Sequence, residues 1–168
     1  LHLATNILKR RYGWQDGDEI ITTPITFVST NHAILYENLK PVFADVDEYL
    51  CLDPADVEKK ITDKTRAVMF VGYGGRVGQL DKVLEICKNH GLRLILDAAH
   101  MSGTRVNGVT PGTWEGVDVA VYSYQAVKNL PTGDSGMICF ADGELDAQCR
   151  KVSWMGINKD TYSRTSSE

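Results

Sequence analysis

The feature that most constrains this 168-residue chain is a repeated change of hydrophobic period. RAVMFVG (66–72), RLILD (93–97) and VDVAVYS (117–123) are apolar runs of strand length. Between the first two lies QLDKVLEICKNHG (79–91), where Leu80, Val83, Leu84, Ile86 and Cys87 share one face of an α-helix. Gly91 supplies its C-terminal stop. Apolar strands alternating with amphipathic helices imply an α/β fold, with a mostly parallel sheet covered on both faces.

The flanking sequence continues the alternation. Helices are expected over 1–12, 28–38 and 142–153, and strands at 19–23, over PVFADVD (41–47, ending in acids) and at GMICF (136–140). In DPADVEKKI, Asp53 is a helix N-cap and Pro54 the first helical residue. Residues 102–116, rich in Gly, Thr and Pro, read as a surface loop.

Composition removes several function classes. A formal charge of −4 leaves no basic footprint for nucleic acid. No apolar run reaches bilayer-spanning length, and no signal peptide is visible. The 4 cysteines are scattered without a C-x-x-C, which argues against a metal centre or disulfide framework and for a reducing cytoplasm. The chain opens without methionine on a helix-like stretch and closes on TYSRTSSE without a stop signal, so it reads as an internal piece of a longer protein.

Ligands of such sheets bind beyond the carboxyl ends of the strands. Asp97 ends RLILD there, and a buried carboxylate is costly unless paired. One candidate partner is a dinucleotide ribose. VGYGGRVG (71–78) gives G-x-G-x-x-x-G between strand and helix, with Asp97 ending the next strand. Against this, the unit is not the first of the chain, and Asp81 in the first helical turn would compete with a pyrophosphate. The other candidate is a protonated pyridine nitrogen. SYQAVKNLPTGDSGM (123–137) places Lys128 just beyond another strand end, over the same edge. A lysine among apolar and cofactor groups can lose its proton and form a Schiff base with an aldehyde.

With these motifs assembled, the chain resembles the fold-type-I pyridoxal-phosphate enzymes of the DegT/DnrJ/StrS type, the nucleotide-sugar aminotransferases. The stretches that carry the resemblance are GDEIITTPITFVSTNHAILYENLKPVFADVD, RLILDAAHMSGT, YSYQAVKNLPTGDSGMICF and WMGINKDTYSRT. The resemblance implies a three-layer α/β/α large domain. Residues 1–168 would be part of it, lacking an N-terminal phosphate-binding turn and a small C-terminal domain.

It implies pyridoxal 5'-phosphate, with Lys128 as the Schiff-base lysine and Asp97 as partner of the ring nitrogen. Ala99 would pack on a ring face, with His100 beside the phenolic oxygen and Phe27 stacking on the ring. Ser123 would hydrogen-bond the phosphate, and Asn129 would reach a phosphate across a dimer interface. No metal is implied. The implied activity transfers an amino group, with glutamate as donor, to a keto-sugar nucleotide in amino-sugar or polysaccharide biosynthesis, by a cytoplasmic homodimer. This piece alone would bind cofactor weakly and be inactive. Gly72 departs from the family's V-H-x-x-G pattern. The alternatives are a non-catalytic regulatory homologue that keeps the fold, and an NAD(P)-binding oxidoreductase domain.

Overall fold

The structure is a computed structural model that describes residues 1–157. The end of the WMGINKDTYSRT stretch and the whole of TYSRTSSE lie outside the described residues.

The chain runs α1 (His2–Tyr12), β1 (Glu19–Thr22), α2 (Ser29–Leu35), β2 (Lys40–Phe43), α3 (Pro54–Lys59) and β3 (Thr65–Val71), then α4 (Leu80–His90), β4 (Arg93–Asp97), β5 (Val119–Ser123), β6 (Gly136–Phe140) and α5 (Gly143–Ser153). One 6-stranded sheet has the order β2-β1-β3-β4-β5-β6. The first five strands are parallel, and β6 pairs antiparallel to β5.

Side-chain alternation along the central strands builds the layers. Val68, Phe70, Leu94, Leu96 and Ala120 pack with Val57 of α3 and with Leu80, Val83 and Cys87 of α4. Ala67, Met69, Ile95 and Val119 point the other way, onto Ala4, Ile7 and Leu8 of α1, Ile34 of α2 and Leu145 of α5. The sheet is therefore sandwiched between α3/α4 and α1/α2/α5, the three-layer arrangement expected.

Local signals behave as the sequence suggested in most places. The Asp53 side chain accepts from Ala55 N–H at 2.9 Å and caps α3, with Pro54 in its first turn. Gly91 closes α4 in a left-handed conformation, φ 66°. One reading is corrected. PVFADVD does not continue as a strand into its acids. β2 ends at Phe43, and Asp45 and Asp47 turn back on themselves by accepting backbone N–H groups of Val46, Tyr49 and Cys51. Short acidic side chains offer the backbone this local alternative to a sheet ladder. The 102–116 segment is a loop lying largely at the surface, as read, with a 3-10 turn at Pro111–Thr113 whose Pro111 is buried.

The alternation fixes the site. Residues 67, 69, 95 and 119 face α1 and α2, so Val121 and the strand-ending Val71, Asp97 and Ser123 lie on that same face. Asp97 sits between Val71 and Val121 in register, mid-sheet.

Phe70 is fully buried among the residues facing α3 and α4. Phe70→Ala is expected to destabilise the fold by about 3–5 kcal/mol, read as a lower urea midpoint with little change in slope.

Candidate active site

Beyond the carboxyl ends of β3, β4 and β5 lies a cavity of about 730 Å³, lined among others by Phe27, Asp97, Ala99, His100, Ser123 and Lys128. Six of the seven residues expected at a cofactor are thus gathered around one space. Its volume is in the range of about 300–1,000 Å³ typical of small-molecule sites.

Asp97 is 4% exposed. One carboxylate oxygen accepts the Thr30 hydroxyl at 2.7 Å, and the other accepts the backbone N–H of Ala99 at 3.2 Å. Both donors are neutral, so the carboxylate charge is not balanced by either of them and stands at the cavity wall. Thr30, on α2, was not foreseen as a site residue. The signal was available: an interior acid needs a donor, and TFVST offers hydroxyls on the element that packs over the same sheet face.

His100 follows Asp97 on the loop after β4. Its Nδ1 accepts the backbone N–H of Gly74 at 3.2 Å, and its ring meets the edge of Tyr73 at a centroid distance of 5.8 Å. A backbone amide can only donate, so the neutral ring carries its proton on Nε2. Burial lowers the His100 pKa, the Lys128 ammonium lowers it further, and Asp97 partly opposes both. Folding therefore favours the neutral ring. That contribution to stability is present above the free-histidine value of 6.5 and is lost as pH falls through the depressed value.

Lys128 sits on the loop between β5 and β6. Its backbone N–H closes a turn onto Gln125 O at 2.9 Å. Among the described residues, no hydrogen bond or ion pair engages its ammonium. The Ser123 hydroxyl oxygen accepts Gln125 N–H at 3.4 Å, which leaves the hydroxyl proton for a ligand. Phe27 is 74% exposed although it lines the cavity, an aromatic face without a protein neighbour to cover it.

Asn129 is the exception. It does not line this cavity, and its amide donates to Ser102 O at 2.6 Å, tying the lysine loop to the loop that carries His100. It lines an adjoining cleft instead, which shares His100 and Lys128 with the main cavity.

The glycine-rich turn after β3 is spoken for. The N–H groups of Gly72, Gly75 and Arg76 donate to Asp97 O, Gly72 O and Tyr73 O, and that of Gly74 to His100. A Cβ at Gly78 would lie 2.6 Å from Cys51 Cβ. These amides are not presented to a pyrophosphate, so the dinucleotide reading loses its phosphate site. A Cβ at Gly72 would lie 2.1 Å from Met101 Sδ. Met101 is fully buried and fills the place where the V-H-x-x-G pattern has a side chain.

The residues present fit pyridoxal phosphate. The cavity combines an unengaged primary amine, a buried carboxylate, a hydroxyl with a free proton and an uncovered aromatic face. Fold and site together define the large-domain architecture of the fold-type-I pyridoxal-phosphate enzymes. The chain belongs to the DegT/DnrJ/EryC1/StrS aminotransferase family, whose profile matches residues 1–168. It is 40% identical over 152 residues to the spore coat polysaccharide biosynthesis protein SpsC of Bacillus subtilis (strain 168), covering 90% of this chain and 39% of that protein. The sugar aminotransferase CalS13 of Micromonospora echinospora superposes with a TM-score of 0.85 at 32% identity, over 94% of this chain and 43% of that one. NtdA of Bacillus subtilis, solved with bound cofactor PMP, gives 0.79 at 26% identity, over 91% and 34%. The chain thus spans about two-fifths of the length of the curated relatives it matches.

Two outcomes are expected. Gly72→Ala should cost about 1–3 kcal/mol in urea denaturation by overpacking against Met101, and Met101→Ala in the same chain should recover part of it. In an NMR titration of the cofactor-free protein, His100 should titrate below 6.5 and shift upward in Lys128→Met. A midpoint that ignores Lys128 would contradict the electrostatic coupling.

Proposed function

We propose that the protein carrying this chain is a pyridoxal-phosphate-dependent aminotransferase that moves an amino group from glutamate to a keto-sugar nucleotide in amino-sugar biosynthesis. The observation that carries this reading is the convergence of Lys128, Asp97, His100, Ser123, Ala99 and Phe27 on one cavity. The sugar substrate is supported by the names of relatives such as CalS13, and the cofactor by NtdA with its bound PMP. Residues 1–168 are, in this reading, part of the large cofactor domain.

When bound, the cofactor supplies an aldehyde that captures amines and a ring that accepts electrons. The chain's own residues do the rest. Lys128 Nζ would hold the cofactor through its aldehyde carbon. Released as a free amine when the amino donor takes its place on that carbon, it would act as the base that takes the donor's α proton and the acid that passes it on to the cofactor side. Asp97 would face the ring nitrogen and favour a proton there. His100, protonated on Nε2, would donate toward the phenolic oxygen. The Ser123 hydroxyl would donate to the phosphate, and Phe27 and Ala99 would bound the ring.

Partner and compartment belong to the same reading. Val28, Leu35 and Tyr36, 51–67% exposed at the two ends of α2, support pairing with a second copy. Asn129, outside its own cavity, is available to a neighbour's phosphate if its tie to Ser102 is exchanged. Four free cysteines support the cytoplasm. Among the described residues, no helix is long and apolar enough to cross a membrane.

The test uses the full-length gene product. Incubation with pyridoxal phosphate and borohydride should label Lys128, as located by peptide mass, and Lys128→Ala should abolish the label. In a separate sample not treated with borohydride, glutamate should convert the bound cofactor to its amino form in a single turnover. Labelling elsewhere, or none, sinks the assignment.

A further inference from the structure

Asp97 is steered by a hydrogen-bond chain whose direction is fixed. A carboxylate only accepts, so in the 2.7 Å contact the Thr30 hydroxyl is the donor. That spends the single proton of Thr30. The Thr26 and Thr30 hydroxyls are 2.8 Å apart, so Thr26 must be the donor in that pair. The chain therefore runs one way: Thr26 O–H to Thr30 O, Thr30 O–H to Asp97. Thr30 is fully buried, whereas Thr26 lines the cavity. No water competes for the Thr30 proton, and aligned hydroxyls polarise one another in such a setting. The remaining contact of Asp97, with Ala99 N–H, comes from its own loop and travels with it. Thr30 is the hydrogen-bonding anchor from another element, across 67 residues of chain.

We infer that Thr30 is a positioning residue for the reaction and that Thr26 acts through it. Together they hold the Asp97 carboxylate in the one rotamer that faces a ring nitrogen in the cavity. This rests on the cofactor assignment above and deepens it. Thr30 touches neither cofactor nor substrate. Its effect passes through Asp97 to the protonation of the ring. Thr26 donates inward to Thr30 and lines the cavity, so it is the wall residue whose loss is felt at a buried acid.

The experiment compares Thr30→Val, Thr30→Ser, Thr26→Val and the double variant Thr26→Val/Thr30→Val in the full-length protein. Each is loaded with cofactor labelled with nitrogen-15 in the ring. Thr30→Val should weaken cofactor binding about tenfold and move the ring nitrogen-15 shift toward that of an unprotonated pyridine. Thr30→Ser, which keeps the hydroxyl, should restore both. Thr26→Val should move both readouts in the same direction by less, and should add nothing in the Thr30→Val background. Urea midpoints of the cofactor-free proteins separate this from loss of folding, because a merely structural Thr30 would lower the midpoint and leave the ring shift in place. Wild-type affinity and shift in Thr30→Val, or additive effects in the double variant, would overturn the relay. Absence of cofactor at Lys128 in the wild type would instead overturn the functional assignment.

Discussion

Much of this molecule is arranged around one carboxylate held almost entirely out of solvent at the wall of a cavity. Removing an ionised group from solvent is among the largest penalties in a protein interior. At Asp97 the penalty is met by a hydroxyl from α2 and a backbone amide from its own loop, both neutral. A neutral pair orients a carboxylate without cancelling its charge. The site therefore retains an electrostatic demand for a cation, which the protonated ring of the proposed cofactor would satisfy. Strand order and helix placement serve that arrangement. β4 lies between β3 and β5 inside the sheet, and α2 is held over it so that Thr30 comes within hydrogen-bonding distance.

The same economy explains the rim of the cavity. Neighbouring parallel strands end at similar heights, so residues two apart along each strand share a face and converge without special loops. Val71, Asp97, Val121 and Ser123 arrive in this way. Residues after the strand ends need more support. His100 is held by Gly74 N–H, and the lysine loop by Asn129 on Ser102 and by the Thr132 and Ser135 hydroxyl pair. The turn after β3 is thus less a ligand cradle than a bracket for the histidine.

Much of this was readable in the sequence, and the boundary of what was readable is physical. The central strands were clear because burial on both faces makes them continuously apolar, as RAVMFVG and RLILD show. Asp97 was clear because an acid closing such a run breaks the pattern at the place where ligands bind. Lys128 was clear only through its spacing from Ser123. The end of β2 was not, since PVFADVD keeps strand propensity while Asp45 and Asp47 satisfy backbone groups locally. The TFVST hydroxyls hinted at a donor for Asp97, but which hydroxyl reaches it, and the role of Met101, were not readable for another reason. Thr30 and Met101 each matter through a contact distant in sequence, with Asp97 and with Gly72, and no one-dimensional pattern encodes such a pair.

The antiparallel pairing of β6 with β5 carries a mechanical consequence. Ser123 stands opposite Gly136, and Tyr122 opposite Met137, so the segment between them leaves and re-enters the sheet at the same rim. Each parallel connection must instead travel the height of the sheet before the chain returns. The lysine alone is mounted on a loop clamped at both ends within one strand spacing of its point of departure. Its amine can swing through a small arc about two fixed posts. In the proposed function, an amine that would release its carbon partner and then collect a nearby proton gains from such a short tether, because both ends of its loop are fixed at the rim of the cavity it lines.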